Sequence, residues 1–99
     1  MLSAEEYEDL ISYLARYHDA GDEIPGTGGV RKLRFAAFGR GKSGGVRAIY
    51  YFYNANTPLY AIFLYGKNEQ TDLTPQQKRD VTAFAAIIKA AANKKRSAR

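Results

Sequence analysis

Seven cations stand between residues 24 and 68 with no carboxylate among them: Arg31, Lys32, Arg34, Arg40, Lys42, Arg47 and Lys67. With no acid in the block, these groups cannot pair with one another, and they form a surface that calls for an anion. Glycines flank several of them, in Gly39-Arg40-Gly41-Lys42-Ser43-Gly44-Gly45 and Gly66-Lys67. Residues without a side chain let backbone N–H groups approach a phosphate closely. Aromatic residues accompany the cations, and rings of this kind stack on the bases of single-stranded RNA. Most of Tyr50, Tyr51, Phe52, Tyr53, Tyr60 and Phe63 are needed for a core. Tyr65, immediately before Gly66-Lys67, is the ring best placed to meet a base. His18 follows an acidic stretch far from the cations and reads as a surface or capping histidine.

Composition narrows the chemistry further. The chain has 99 residues, 15 Lys and Arg, 10 Asp and Glu, one His and no Cys. This length predicts a single domain over 1–99, in two layers, with a small core. Without cysteine there is neither a disulfide framework nor a thiol nucleophile, and one histidine gives no His-rich metal site. No apolar run approaches the ~20 residues of a membrane span, and the acidic start is unlike a signal peptide. A cytoplasmic protein with no metal, no cofactor and no membrane partner is the expectation. The net charge of +5 divides unevenly: −6 over residues 1–23, +7 over 24–68 and +4 over 69–99. Four bases in the last six residues predict a frayed basic tail over 93–99. Gly41-Lys42-Ser43 spells the end of a phosphate-loop motif, but Ala36 stands where its first glycine belongs and a strand follows instead of a helix.

The elements that must position these residues follow from caps and periodicity. Ser3-Ala4-Glu5-Glu6 is a capping box, and Tyr7, Leu10, Ile11, Leu14 and Tyr17 then mark one apolar face, predicting a helix over Ala4–Tyr17. The glycines and proline between Asp19 and Gly29 predict an irregular connection. Strands are predicted over Val30–Phe38, Val46–Tyr53 and Leu59–Tyr65. Short connections make them an antiparallel meander, and continuous apolar runs in the second and third imply cover on both faces. Thr74-Pro75-Gln76-Gln77 is a second capping box, opening a helix to about Ala92. The fold class is α+β: a helix, a three-stranded antiparallel sheet and a closing helix.

The blocks Gly26–Arg34, Gly39–Arg47 running into Ile49-Tyr50-Tyr51, Tyr65-Gly66-Lys67-Asn68 and Asp72-Leu73-Thr74 resemble the HigB branch of the RelE-like toxins, over roughly residues 3–90. The resemblance implies a RelE-like fold and the toxin of a type II toxin–antitoxin pair. It implies a metal-independent endoribonuclease that cuts mRNA on the ribosome, silenced by an antitoxin that carries a helix-turn-helix domain. Family members begin with a further edge strand, whereas this sequence starts at the helix, so that strand is expected to be missing. RelE carries an arginine after its Gly-Lys pair and a tyrosine near its C-terminus; Asn68 and Thr74 stand there. The catalytic histidines of some HigB toxins have no counterpart after His18.

On that resemblance the cations take roles. Cleavage at an RNA phosphate requires a 2′-OH to lose its proton, a pentacoordinate phosphorus to be stabilised and a 5′-oxygen to gain a proton. Arg47 and Arg34 suit the phosphate, because the guanidinium fork meets two of its oxygens. Lys32 and Lys42 are the candidates for proton transfer, since crowding by like charges loosens a lysine's proton. Arg31, Arg40, Lys67 and Tyr65 are assigned to substrate binding. The alternatives are a non-catalytic RNA or ribosome binder using the same face, and a ParE-like inhibitor of gyrase.

Overall fold

A computed structural model describes residues 3–35, 45–66 and 69–97, with side chains to Lys94. Helix α1 spans Ala4–Arg16, and Ser3 caps it. The Ser3 hydroxyl accepts from the Glu6 N–H at 3.1 Å, and the Glu6 carboxylate accepts from the Ser3 N–H at 2.9 Å. The reciprocal pair satisfies two N–H groups that the first turn leaves without partners. Leu10 and Leu14 are buried, while Tyr7 and Tyr17 at the ends of the predicted face stay exposed.

Among the described residues, four antiparallel strands follow in sequential order: β1 at Asp22–Glu23, β2 at Arg31–Phe35, β3 at Val46–Tyr51 and β4 at Tyr60–Gly66. The sheet thus has one strand more than the sequence predicts. Asp22 pairs with Lys32 and Glu23 with Arg31 inside the connection expected to be irregular. Two residues are too few to show a periodicity, and Gly21 is what admits them. A Cβ there would stand 2.6 Å from the Lys32 carbonyl oxygen, so only glycine permits the approach. The following turn needs glycine as well, since Gly26, Gly28 and Gly29 all have positive φ. Thr27 is buried between them, its hydroxyl donating to the Ile24 carbonyl at 2.7 Å and accepting from the Val30 N–H at 3.1 Å.

Side-chain alternation along β3 divides the interior in two. Ala48 and Tyr50 pack with Leu33 against Leu10 and Leu14 of α1. Ile49 and Tyr51 pack with Val30 and Tyr65 against Val81, Ala85 and Ile88 of helix α2, Pro75–Ser97. The helices cover opposite sheet faces, giving three layers where two were expected. Both faces of β3 are covered, which explains why it reads as a continuous apolar run. A register shift at Ile49/Tyr50 leaves Ile62 as an extra residue of β4, a bulge. Helix α2 opens on the predicted capping box, with Gln77 N–H donating to the Thr74 hydroxyl and Thr74 N–H to the Gln77 amide oxygen. It continues past Ala92 into the segment expected to fray. Tyr53 Oη donates to Asn93 at 2.9 Å, and the Lys89 ammonium lies 5.9 Å from the Tyr53 ring centroid.

Tyr50 joins α1 to the sheet. Fully buried, its hydroxyl donates to the His18 carbonyl at 2.9 Å and accepts from the Gly21 N–H at 3.0 Å. His18 itself stacks on Phe52, with centroids 3.9 Å apart. Burial raises the Tyr50 hydroxyl above the ordinary phenol value, and the Gly21 bond and the Arg31 charge oppose that rise. Replacing Tyr50 by Phe keeps the ring but leaves the Gly21 N–H without its acceptor, which costs about 1–3 kcal/mol. Urea unfolding of Tyr50→Phe should show a lower midpoint at an unchanged slope; a wild-type midpoint would contradict this role.

Candidate nucleic-acid interface

Register places the candidate residues. Arg34 of β2 lies directly opposite Arg47 of β3, and Arg47 directly opposite Tyr65 of β4. Lys32, two residues before Arg34, shares its sheet face by the period-2 alternation of a strand. Lys32, Arg34, Arg47 and Tyr65 therefore lie on one face, the face that α2 covers. The apolar core beneath α2 is built around Ile49, Tyr51 and Val30. The Arg34–Arg47–Tyr65 row lies beyond it, towards the end of the sheet where β2 finishes and β3 begins. Arg34 is exposed there, and Lys32 and Arg47 are half-buried.

Two like charges directly opposite on neighbouring strands are destabilising. The Arg34–Arg47 register sets two guanidinium-bearing side chains next to each other on neighbouring strands. The arrangement can present two guanidinium forks and an ammonium to a phosphodiester.

Two candidates are placed otherwise than the sequence suggests. Arg31 pairs with Tyr50 and so faces α1, on the side of the sheet away from Arg34. Its guanidinium donates to the Gly21 carbonyl at 2.6 Å and to the Asp19 carbonyl at 3.4 Å, binding the β1 connection to β2. Period 2 makes the separation of Arg31 from Lys32 and Arg34 legible in hindsight. Tyr65 shares the correct face but is only 3% exposed, so its ring belongs to the core and offers no open face for a base. Its hydroxyl donates to the Thr71 carbonyl at 3.4 Å. Burial raises this phenol above its ordinary value, while the nearby Lys32 and Arg47 charges pull against that rise and Asp72 adds to it. Arg40, Lys42 and Lys67 lie outside the described residues.

One participant escaped the sequence reading. Lys32 Nζ lies 2.8 Å from the Asp72 carboxylate, so the carboxylate-free block finds its counter-charge beyond its own end. The signal was available in topology: the chain leaving β4 must cross the end of the sheet to reach α2, and Asp72 is on that crossing. The grooves along α2 are elsewhere. One of about 340 Å³ lies by Thr27, Gly28, Thr82 and Ala86, and another of about 370 Å³ by Ile62, Phe63, Val81 and Phe84. Neither is lined by Lys32, Arg34 or Arg47. Among the described residues, no three His, Cys, Asp or Glu side chains gather as a metal site, and no helix is long and apolar enough to cross a membrane.

The Lys32 hydrogen bond, and then its charge, hold the Asp72 carboxyl below the ordinary carboxylate value. A carboxyl depressed in the folded state adds stability above its unfolded pKa, and that stability is lost as pH falls through the folded one. For so exposed a group the effect on stability is slight, but the titration itself is readable. Carboxyl-detected NMR should place the Asp72 midpoint below that of a peptide aspartate, and Lys32→Ala should return it to the peptide value. An unmoved midpoint would mean that the pair does not persist in solution.

The family model described as the RelE toxin of the RelE / RelB toxin–antitoxin system matches residues 15–98. The match takes in all four strands, the cationic row, Asp72 and α2, and the helix–sheet–helix order fits a RelE-like fold. The chain belongs to the RelE toxin family and is the toxin of a toxin–antitoxin system, with an antitoxin as its partner.

Proposed function

We propose that this toxin is a metal-independent endoribonuclease that cuts mRNA on the ribosome, acting in the cytoplasm to stop translation. The observation that carries the reading is the Arg34–Arg47 pair, two guanidinium groups in register on one sheet face with Lys32 beside them. Two arginine forks can hold the non-bridging oxygens of one phosphate, and they bind the doubly charged phosphorane more strongly than the singly charged diester. That difference is the part of the binding that accelerates the reaction. Arg47, the half-buried member at the centre of the row, takes the scissile phosphate with Arg34. Lys32 and Lys42 serve the proton transfers, and Arg40 and Lys67 hold flanking phosphates. Placement of the message by the ribosome supplies alignment that so small an open surface does not.

The same surface explains the need for the antitoxin. An acidic or amphipathic segment of a helix-turn-helix antitoxin, laid over Arg34 and Arg47, would neutralise the row and exclude RNA. This sets the partner's negative charge against the toxin's cations. It also separates the HigB type of system from others only through the antitoxin's own sequence, and the reading frame beside this one bears directly on it.

Arg47→Ala should abolish growth inhibition when the toxin is expressed alone, while its far-UV circular dichroism and melting stay those of a folded protein. Full toxicity in that variant would overturn the assignment of Arg47. Primer extension on cellular mRNA after induction should show new 5′ ends inside translated frames. Stalled but intact messages would instead identify a binder that does not cut.

A further inference from the structure

We propose that Asp72 is a positioning residue: its carboxylate holds the Lys32 ammonium at the open end of the sheet, on the face that Arg34 and Arg47 share. The inference rests on the RNA-cleaving reading above and adds a residue to it. A lysine is a point charge on a flexible four-carbon stem. Beside two arginines and with nothing to hold it, such a stem swings away from its neighbours into water. The 2.8 Å contact with Asp72 holds it in place.

The carboxylate is itself presented from a braced loop. The Asp72 carbonyl accepts from the Gln70 side-chain amide at 2.8 Å. That amide also donates at 2.7 Å to Gln77 Oε1, the atom that accepts from Thr74 N–H in the α2 capping box. On the other side of the loop, the buried Tyr65 donates to the Thr71 carbonyl. The start of α2, the end of β4 and the Asp72 backbone are thus tied together, and Asp72 reaches Lys32 across forty positions of sequence.

Two other roles for Asp72 fit less well. As the base that deprotonates a 2′-OH, it would work against a pKa already held down by Lys32. In-line displacement also puts the attacking and leaving oxygens on opposite sides of phosphorus, so two groups 2.8 Å apart attend the same oxygen rather than dividing base and acid between them. As a phosphate-binding residue it has the wrong charge. Its contribution therefore runs through Lys32.

The test is a double-mutant cycle on purified toxin, assayed for mRNA cleavage on programmed ribosomes. Asp72→Asn, which removes the charge and keeps the shape, should lower kcat by about fivefold, the size set by an exposed ion pair. KM should be unchanged or lower, since an acid near the RNA is gone. Asp72→Glu should recover most of the loss, and in a Lys32→Ala background Asp72→Asn should have no further effect. An active wild type in which Asp72→Asn leaves kcat unchanged, or in which the two losses multiply, overturns the role of Asp72 alone. A wild type that cuts no message overturns the cleavage reading and this inference together.

Discussion

Cover on both faces of β3 is the constraint from which the rest of the structure follows. A strand between two helical layers must be apolar at successive positions, and Val46, Ala48, Ile49, Tyr50 and Tyr51 all are buried. Alternation then assigns each neighbour to a layer: Leu10 and Leu14 meet Ala48 and Tyr50, while Val81, Ala85 and Ile88 meet Ile49 and Tyr51. Arg47 is the one charged residue in that strand, and it sits next to the strand's first residue. Its place decides where a polar site can exist. The Tyr51 end of this face packs against α2, and the opposite end carries Arg34 and Arg47, with Lys32 one pair nearer the core, opposite Ile49.

That division separates the packed core from the cationic row. Core packing and the Tyr50 bonds to His18 and Gly21 fix the far end of the sheet. The loop from Glu69 to Thr74 closes the remaining side. Hydrogen bonds along it set Asp72 against Lys32 and leave Arg34 exposed. The acidic helix α1 lies on the other face of the sheet. Its acids therefore lie across the sheet from Arg34 and Arg47.

Much of this was legible in sequence because it rests on local rules. Both capping boxes, the two helices and the meander follow from residue spacing, and the continuous apolar run of β3 announced cover on both sides; the equally continuous run of β4 belongs instead to an edge strand in which only Tyr65 is buried. What the sequence hid depends on distance in space. The short strand β1 exists because Gly21 lets two backbones meet, which no periodicity displays. The Lys32–Asp72 pair spans forty positions. Tyr65 stands at a strand end where exposure was expected, but α2 and the crossing loop bury it. Arg31 carries the same charge as its neighbours, yet strand alternation turns it to the other face, where it supports the backbone around Gly21.

The central claim is that the Arg34–Arg47 row meets the phosphates of RNA. It is tested most directly by NMR titration of the ¹⁵N-labelled protein with a short single-stranded RNA methylated at its 2′-hydroxyls, which blocks cleavage. The account predicts that the largest shifts fall on Lys32, Arg34, Arg47 and Asp72, including the arginine side-chain Nε–H signals of Arg34 and Arg47, and that α1 stays silent. Shifts centred on α1 or on the grooves along α2, with the two arginine signals unmoved, would contradict it.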